Sequence, residues 1–562
     1  MDKRSLDGLR AGADGDAGGT CPTRWRAQPC CEGVVVYSAR VLDAIGRHMA
    51  PGVRQRSGES RFPFVGGRPF GHPWRRSTTD RHLGPWSILA AVGVLLGLGI
   101  ACGSGATAPA DGTAGAGGGG PAQTGGSTFD GSSQLAGLPQ TSCTVTVTGS
   151  EASPYIATVG VVSFTTDLVD LTSAEIHFGP DTAYGLVAPV DLDEEGHRTL
   201  LLGMTQNRAY HFRVAVSDGR SVCNGDDRTI ETGSLNSKAL AEAKTSDGAA
   251  PGFIVTARDG EVVIYDKTGE LVWAYKMWNV FAARLSWDGK YMLARDPGPF
   301  DSADGGLFYR VKMDGSDFTS IDAPGGDHHD FAVIPGGIAY LAKADEGECD
   351  QVYEASIAIT DGVPVFDTWQ IYQHFPDEGE VEGTAICHAN RIHYSLAKDM
   401  YTISDRNKDA IAVFTRSGTP VTSIGKAPTG GWTQHISAAG AGLGGDWHVQ
   451  HGHHFYADDK LVVFSNESSG GAAVLHYTIT GNRAALDWKY DGAGESRICG
   501  DVQRLPNGNY LVTANLSNIM VEIGPDGHTE VGRYVLDGPI GPLYGFTYSS
   551  HRPSLYGIPP PW

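Results

Sequence analysis

The sequence predicts an all-β chain: a six-bladed β-propeller preceded by a β-sandwich. Three observations predict it. Asp-Gly and Asn-Gly pairs recur at Asp259-Gly260, Asp288-Gly289, Asp314-Gly315, Asn507-Gly508 and Asp526-Gly527, each between apolar, β-branched runs. Such pairs suit tight hairpin turns, which need positive φ. A turn-then-strand unit repeats in the C-terminal half at about fifty to sixty residues, which is a propeller-blade period. Upstream, short alternating runs separated by polar turns fill about a hundred residues, the layout of a sandwich.

Length and charge bound the function. A chain of 562 residues is long enough for more than one domain and a large core. Its net charge of −21 argues against a nucleic-acid partner, because a phosphate backbone calls for a basic face. The nine cysteines fall into two sets. Cys21, Cys30, Cys31 and Cys102 lie in or before an apolar segment; Cys143, Cys223, Cys349, Cys387 and Cys499 follow it. None of the later set has zinc-ligand spacing, and Cys143 with Cys223 is the disulfide candidate, since they flank one expected domain.

In chain order, residues 1–82 read as an unstructured extension or a start placed too far upstream. Residues 83–102 read as a secretory signal or membrane anchor, with Arg75, Arg76 and Arg81 ahead of an apolar run that ends at Ala101-Cys102. That ending resembles a bacterial lipobox, which implies lipidation at Cys102 and an exported, membrane-anchored protein, periplasmic or at the cell surface. Residues 103–140, rich in Gly, Ala, Ser and Pro, read as a flexible linker. Residues 141–235 form the sandwich. Within it, Leu201 to Val214 resembles the leucine-to-tyrosine corner of fibronectin type III domains, so the sandwich is expected to be of the fibronectin III/Ig-like kind. His211 lies in one of its strands and reads as structural.

Residues 245–562 hold the repeat. The units starting at Ser286, Ile334, Tyr456 and Leu505 align as a turn followed by a strand, with a looser copy at Ser395. Counting five residues back from each turn gives Phe281, His329, His451 and Gly500, and the looser copy gives His388 with a small shift. Equivalent positions on different blades lie at equal height around one axis. His329, His388 and His451 are therefore expected to converge. Alternation places His451, His453 and Phe455 on one face of their strand, with His453 near the site, and His454 on the other, between blades. His435, His448, His453 and His454 read as surface or capping residues, Arg391, Arg497 and Arg504 as solvated, and Trp432 and Trp447 as core.

Specific motifs go further. Gly326-Asp-His-His-Asp-Phe, Cys387-His-Ala-Asn-Arg-Ile-His-Tyr, Ile403-Ser-Asp-Arg-Asn, Gln450-His451, Asp501-Val-Gln-Arg-Leu-Pro-Asn-Gly-Asn-Tyr-Leu and Arg552-Pro-Ser-Leu-Tyr resemble bacterial arylsulfate sulfotransferases. The resemblance covers most of residues 250–556. It implies an exported six-bladed propeller behind a small β-sandwich, moving sulfuryl groups from an aryl sulfate donor to a phenol acceptor without a nucleotide donor and without a cofactor. By motif, it implies that His451 is the nucleophile that becomes sulfated. His329 and His388 match the other site histidines and Arg406 the site arginine. Asn390 and His328 match substrate-binding positions.

Those residue types suit that chemistry. A neutral imidazole nitrogen can attack sulfur, and covalent capture splits one hard transfer into two easier ones. A guanidinium can hold the sulfuryl oxygens. A second histidine can serve the departing and arriving phenols. No Gly-x-x-x-x-Gly-Lys-Ser/Thr loop is present for a nucleotide. Two rival readings use the same residues: a His-ligated iron or copper oxygenase, with Asp330 the obvious orienting carboxylate, and a non-enzymatic, surface-anchored binding propeller. The expectation here is no metal. A homodimer is allowed by the sequence.

Overall fold

Alternation of apolar and polar residues becomes β-strand throughout the described chain. The computed structural model describes residues 131–562 except 240, 259, 297–305, 327–328, 343–348, 369–370, 372–386, 429–431, 537–545 and 559–562. The segment 83–102, Cys102 and His328 therefore lie outside the described residues. The described elements are strands and two short 3-10 turns, so the chain is all-β. No helix among the described residues is long and apolar enough to cross a membrane.

The first region packs two sheets face to face. One holds Val145–Ala152, Gly160–Thr166 and Thr199–Leu201; the other holds Leu186–Pro189, Ser173–Gly179, Ala209–Ser217, Val222–Asn224 and Arg228–Glu231. Alternate residues of both sheets, among them Val162, Phe164, Ile176, Phe178, Phe212 and Val214, form one buried cluster. Each such side chain contributes about 1.5–3 kcal/mol by leaving water. Cys143 and Cys223 are joined, with Cα atoms 5.9 Å apart. The Tyr210 hydroxyl accepts the Thr205 amide at 2.8 Å, tying the strand to the turn before it. His211 points outward, its Nδ1 2.8 Å from Asp227.

Residues 133–140 depart from the expected free linker. Leu135 is buried against Ala215 and Val222. The Thr141 amide donates to the Val222 carbonyl and the Val222 amide to the Pro139 carbonyl, both at 2.9 Å. An apolar side chain and an unsatisfied sheet edge were enough to dock this polar-looking stretch.

The second region is a succession of propeller-like antiparallel sheets. Three are four-stranded or shorter in sequence span: Ala282–Leu285 to Thr319–Asp322, Phe331–Ile334 to Val363–Asp367, and one in which Leu271–Lys276, Glu261–Asp266 and Phe253–Arg258 are joined by Ser550–Arg552. A fourth runs from Asp501–Arg504 to Glu530–Leu536 and is completed by Ala241–Thr245. The remaining nine-stranded sheet links Ala389–Ser395 through Pro420–Gly425 to Gln450–Ala457 through Arg483–Tyr490. The link is Gln434–Ala438, which pairs in parallel with both halves.

The first strands of these sheets touch in succession. Arg284 meets Asp330, and the Ile392 amide donates to Asp330. Asn390 Nδ2 donates to the Gln450 carbonyl, the Gly452 amide to the Gly500 carbonyl, and the His551 amide to Gln503 Oε1. A bridge between Ala282 and Tyr548 returns to the start. Apolar clusters fill the spaces between sheets. Trp447 is fully buried in one of them, as expected for a core residue, against Tyr477.

Candidate functional site

Where these first strands begin, the phase-matched residues meet. His329 Nε2 and His388 Nε2 are 3.1 Å apart, so the two rings share one proton. The ring centroids of His329 and His451 are 6.4 Å apart. Phe281 packs edge-on to His329 at 6.3 Å, and the Gly500 carbonyl accepts the Gly452 amide beside His451. Counting back from the turns thus brought five residues, at or just before the starts of five strands, to one place.

The backbone entering this place is held in unusual conformations. His329, Val449 and Cys499 have φ of 56°, 54° and 56°. For a β-branched residue such as Val449 that is an outlier, which persists only when its surroundings enforce it. Here the Val449 amide donates to Asp409 Oδ1 at 2.8 Å, and Gln450 Nε2 donates to the carbonyls of Asp405 and Ala410. Ser404 Oγ donates to the His451 carbonyl at 2.8 Å. These bonds fasten the His451 strand to the preceding sheet.

His451 itself is buried. Its Nδ1 lies 2.7 Å from Asn466 Oδ1. Asn466 Nδ2 is committed to the carbonyls of Ser496 and Cys499, both at 2.6 Å, so the amide cannot turn over. Asn466 can therefore only accept, His451 Nδ1 must carry the hydrogen, and the lone pair sits on Nε2. Burial first, then the charge of Arg406, pushes the His451 pKa down to about 3, so the ring is neutral at ordinary pH. A neutral, orientation-locked imidazole is equipped as a nucleophile.

Arg406 follows directly on the strand Met400–Asp405, its amide donating to the His388 carbonyl at 3.0 Å. Its guanidinium is largely buried and has no hydrogen bond or ion pair among the described residues; its Nε is wholly enclosed. Asn390 Oδ1 is likewise buried without a partner. Unsatisfied buried polar atoms are costly, and a buried guanidinium of this kind can receive an anion from outside. Among the described residues no group of three or more His, Cys, Asp and Glu side chains is arranged to hold a metal ion. Asp330, the expected orienting carboxylate, turns instead to Arg284, to Arg391 and to the Ile392 amide.

That last observation corrects another expectation. Arg391 is not solvated: it is buried and pairs with Asp330 at 3.3 Å and Asp501 at 2.8 Å. His453 and His454 are not surface residues either. His453 Nε2 lies 2.8 Å from Thr402 Oγ1, and His454 Nδ1 accepts the Arg504 amide at 2.8 Å, so both sit between neighbouring strands. Burial lowers both pKa values, that of His454 to about 3. Arg497 is exposed as expected. Two further features escaped the sequence reading. One is Asn466, which hairpin counting could have found, since Gln450 pairs with Ser465. The other is a disulfide between Cys349 and Cys387, one residue before His388.

Against known proteins, residues 238–520 match the model of the arylsulfotransferase (ASST) family, half of the chain. The chain belongs to the arylsulfotransferase family. Membership supports an arylsulfotransferase activity on small aryl substrates. No curated protein matches the chain. Among solved structures, a protein of unknown function from Bacteroides caccae is 13% identical over 53% of this chain and 98% of its own, with a TM-score of 0.36. TolB from Acinetobacter baumannii is 10% identical over 62% of this chain and 80% of its own, with a TM-score of 0.35. The matched stretch carries all five residues brought together at the strand starts, together with Asn390, Arg406 and Asn466.

Proposed function

We propose that this arylsulfotransferase moves a sulfuryl group from an aryl sulfate to an acceptor phenol in two steps, through a sulfated His451 and without a nucleotide donor. The observation that carries the reading is the His451–Asn466 pair, which leaves Nε2 as the only nucleophilic nitrogen of a neutral ring.

In the first step His451 Nε2 attacks the donor sulfur. The N–S bond forms, the S–O bond to the aryl group breaks, and the phenolate takes a proton from the His329–His388 pair, which starts as one imidazolium beside one neutral imidazole and ends as two neutral rings. Arg406, without a side-chain partner among the described residues, holds the sulfuryl oxygens as charge gathers on them. In the second step the acceptor phenol returns a proton to the His329–His388 pair; its oxygen takes the sulfuryl group, and His451 is restored as neutral imidazole. Phenol titrates near pH 10, so it needs that base to react at neutral pH. Asn390, and His328 outside the described residues, are assigned to substrate binding.

The same reading covers the architecture. The nine-stranded sheet counts as two blades joined through Gln434–Ala438, which makes six with the other four. The preceding sandwich, with its Tyr210 corner, is taken as fibronectin III-like. The protein is taken to be exported and membrane-anchored through its N-terminal segment, with Cys102 the lipidated residue, and a homodimer is compatible with it.

The test is phenol release from an aryl sulfate with and without an acceptor phenol, together with mass spectrometry of the His451 peptide after a quench without acceptor. An 80 Da adduct on that peptide, and loss of turnover by at least about 10⁴-fold in His451→Ala, are expected. Turnover of a panel of aryl sulfates with no adduct at His451 would sink the covalent mechanism; no turnover of any would sink the sulfotransferase reading.

A further inference from the structure

Further along the same strands than the histidines lies a second cleft. It takes Arg284 and Trp287 from one sheet, Val333 from the next, Arg391 and Leu396 from the third and Arg552 from the closing strand Ser550–Arg552. The arginine–aspartate layer stands between it and the histidines, since Asp330, Arg391 and Asp501 each follow a histidine-level residue, His329, Asn390 and Gly500.

The charges lining this cleft do not balance. Arg284 is neutralised by Asp330 at 2.6 Å, and Arg391 by Asp330 and Asp501. Arg552 is just as buried, 5% exposed, yet among the described residues its guanidinium has one partner, the Gly557 carbonyl, at 2.7 Å. Its Nε is enclosed with no acceptor. Among the described residues that leaves three guanidiniums against two carboxylates. The surrounding rings add no charge, since burial keeps His393, His454 and His551 neutral. A buried cation without a counter-ion is expensive, and a protein retains one where an anion arrives from outside. The rest of the lining says what the anion is attached to. Gly557 lies against the Gly289 turn, beside the half-buried indole of Trp287, and Leu396, 42% exposed, forms part of the rim. Cation at the floor and aromatic and aliphatic groups at the mouth fit a small amphipathic anion.

We propose that this cleft is a second binding site, for a carboxylate, sulfate or phosphate carried on an aromatic body, with Arg552 as its principal anchor. The inference does not rest on the sulfotransferase reading, because it uses neither His451 nor Arg406.

Calorimetric titration with 2-naphthoate, which carries no sulfuryl group, tests it. Binding is expected, and loss of the charge-assisted bond in Arg552→Gln should weaken it by about tenfold or more. The titrations are made in an Arg406→Gln background, so that the histidine end does not add to the binding. Because Arg552 is buried, the rim pair Leu396→Glu and Leu396→Lys provides a second arm on an exposed position. The glutamate is expected to weaken binding relative to the lysine, and the difference to shrink at high salt. Inorganic sulfate in place of 2-naphthoate should bind more weakly, since it lacks the apolar body. No binding in the Arg406→Gln background, unchanged affinity when a folded Arg552→Gln is added to it, or equal affinity in the two Leu396 variants would each overturn the proposal.

Discussion

Two layers of the same strands, one residue apart, treat buried polarity in opposite ways. At the first, His329, Asn390 and His451 stand beside Arg406, with Asn390 Oδ1 and the Arg406 guanidinium lacking partners. At the second, Asp330, Arg391 and Asp501 are bound to one another and to Arg284. The first layer holds a cation with no opposite charge bound to it among the described residues; in the second every charge has an opposite charge beside it, although Arg391 Nη1 and Asp501 Oδ2 make no hydrogen bond there. The difference teaches where to look for chemistry. A satisfied ionic network fixes the neighbouring strands in register, and an unsatisfied one waits for a molecule that is not part of the chain.

The comparison makes crossed predictions. The largest effect is expected from Arg391→Met, which leaves Asp330 and Asp501 short of a cation in the interior. Stability should fall by about 3–5 kcal/mol, read as a drop in melting temperature and denaturant midpoint. Arg406→Gln should do the reverse. It should cost about 10²–10³-fold in kcat, as for other lost oxyanion donors, with the melting temperature unmoved or raised. If Arg406→Gln destabilised the fold as much as Arg391→Met, the division between the layers would fail.

A smaller effect separates positioning from packing. Asn466→Leu removes the acceptor of His451 Nδ1, and kcat should fall by about tenfold, the worth of one hydrogen bond. The discriminating measurement is nitrogen NMR of the neutral ring: hydrogen on Nδ1 in the wild type, a mixture or the other tautomer in the variant. An unchanged tautomer would leave Asn466 with only a structural role.

The last effect, offset in part by groups of opposite sign, is in pH. The pKa values of His451 and His454 are near 3 and that of His551 near 4, against about 6.5 unfolded, so the unfolded chain binds protons that the native one refuses. Their contribution is complete above pH 6.5 and is lost as pH falls toward 3–4. Asp405 and Asp501, raised to about 6 mainly by burial, act with the opposite sign between pH 6 and their unfolded value of 3.8. Histidines outnumber them, His393 and His453 being lowered as well. Melting temperature should therefore fall between pH 6.5 and 4.5, with net proton uptake on unfolding. A flat profile would mean that the ionic layer dominates.

Much of this was legible in the sequence because turns set height. A fixed count from each turn fixes how far along its strand a residue sits, so Phe281, His329, His388, His451 and Gly500 could be brought together before any coordinates. Partnership across strands was not legible. Arg391 reads as a surface arginine until Asp330 and Asp501 are seen to flank it from other sheets, far away in sequence. Alternation sends His454 between blades, where it meets the Arg504 amide, but nothing local names Thr402 as the neighbour of His453. The Cys349–Cys387 pair was hidden for the same reason: sequence separation carries no connectivity. Asn466 is the exception, reachable from hairpin register yet passed over because a single asparagine in an apolar strand carries no motif.

The two borrowed strands bear on how this molecule reaches its folded state. Ala241–Thr245 completes the sheet made by the last repeat, and Ser550–Arg552 completes the sheet made by the first. The first sheet must therefore wait for residues synthesised after all the others. Until then its Phe253–Arg258 edge is an open template for unwanted pairing. Contacts so distant in sequence make for slow folding, because the chain must close its longest loop last. The final closure, more than any single sheet, is where a chaperone or a truncation would have its greatest hold on the yield of native protein.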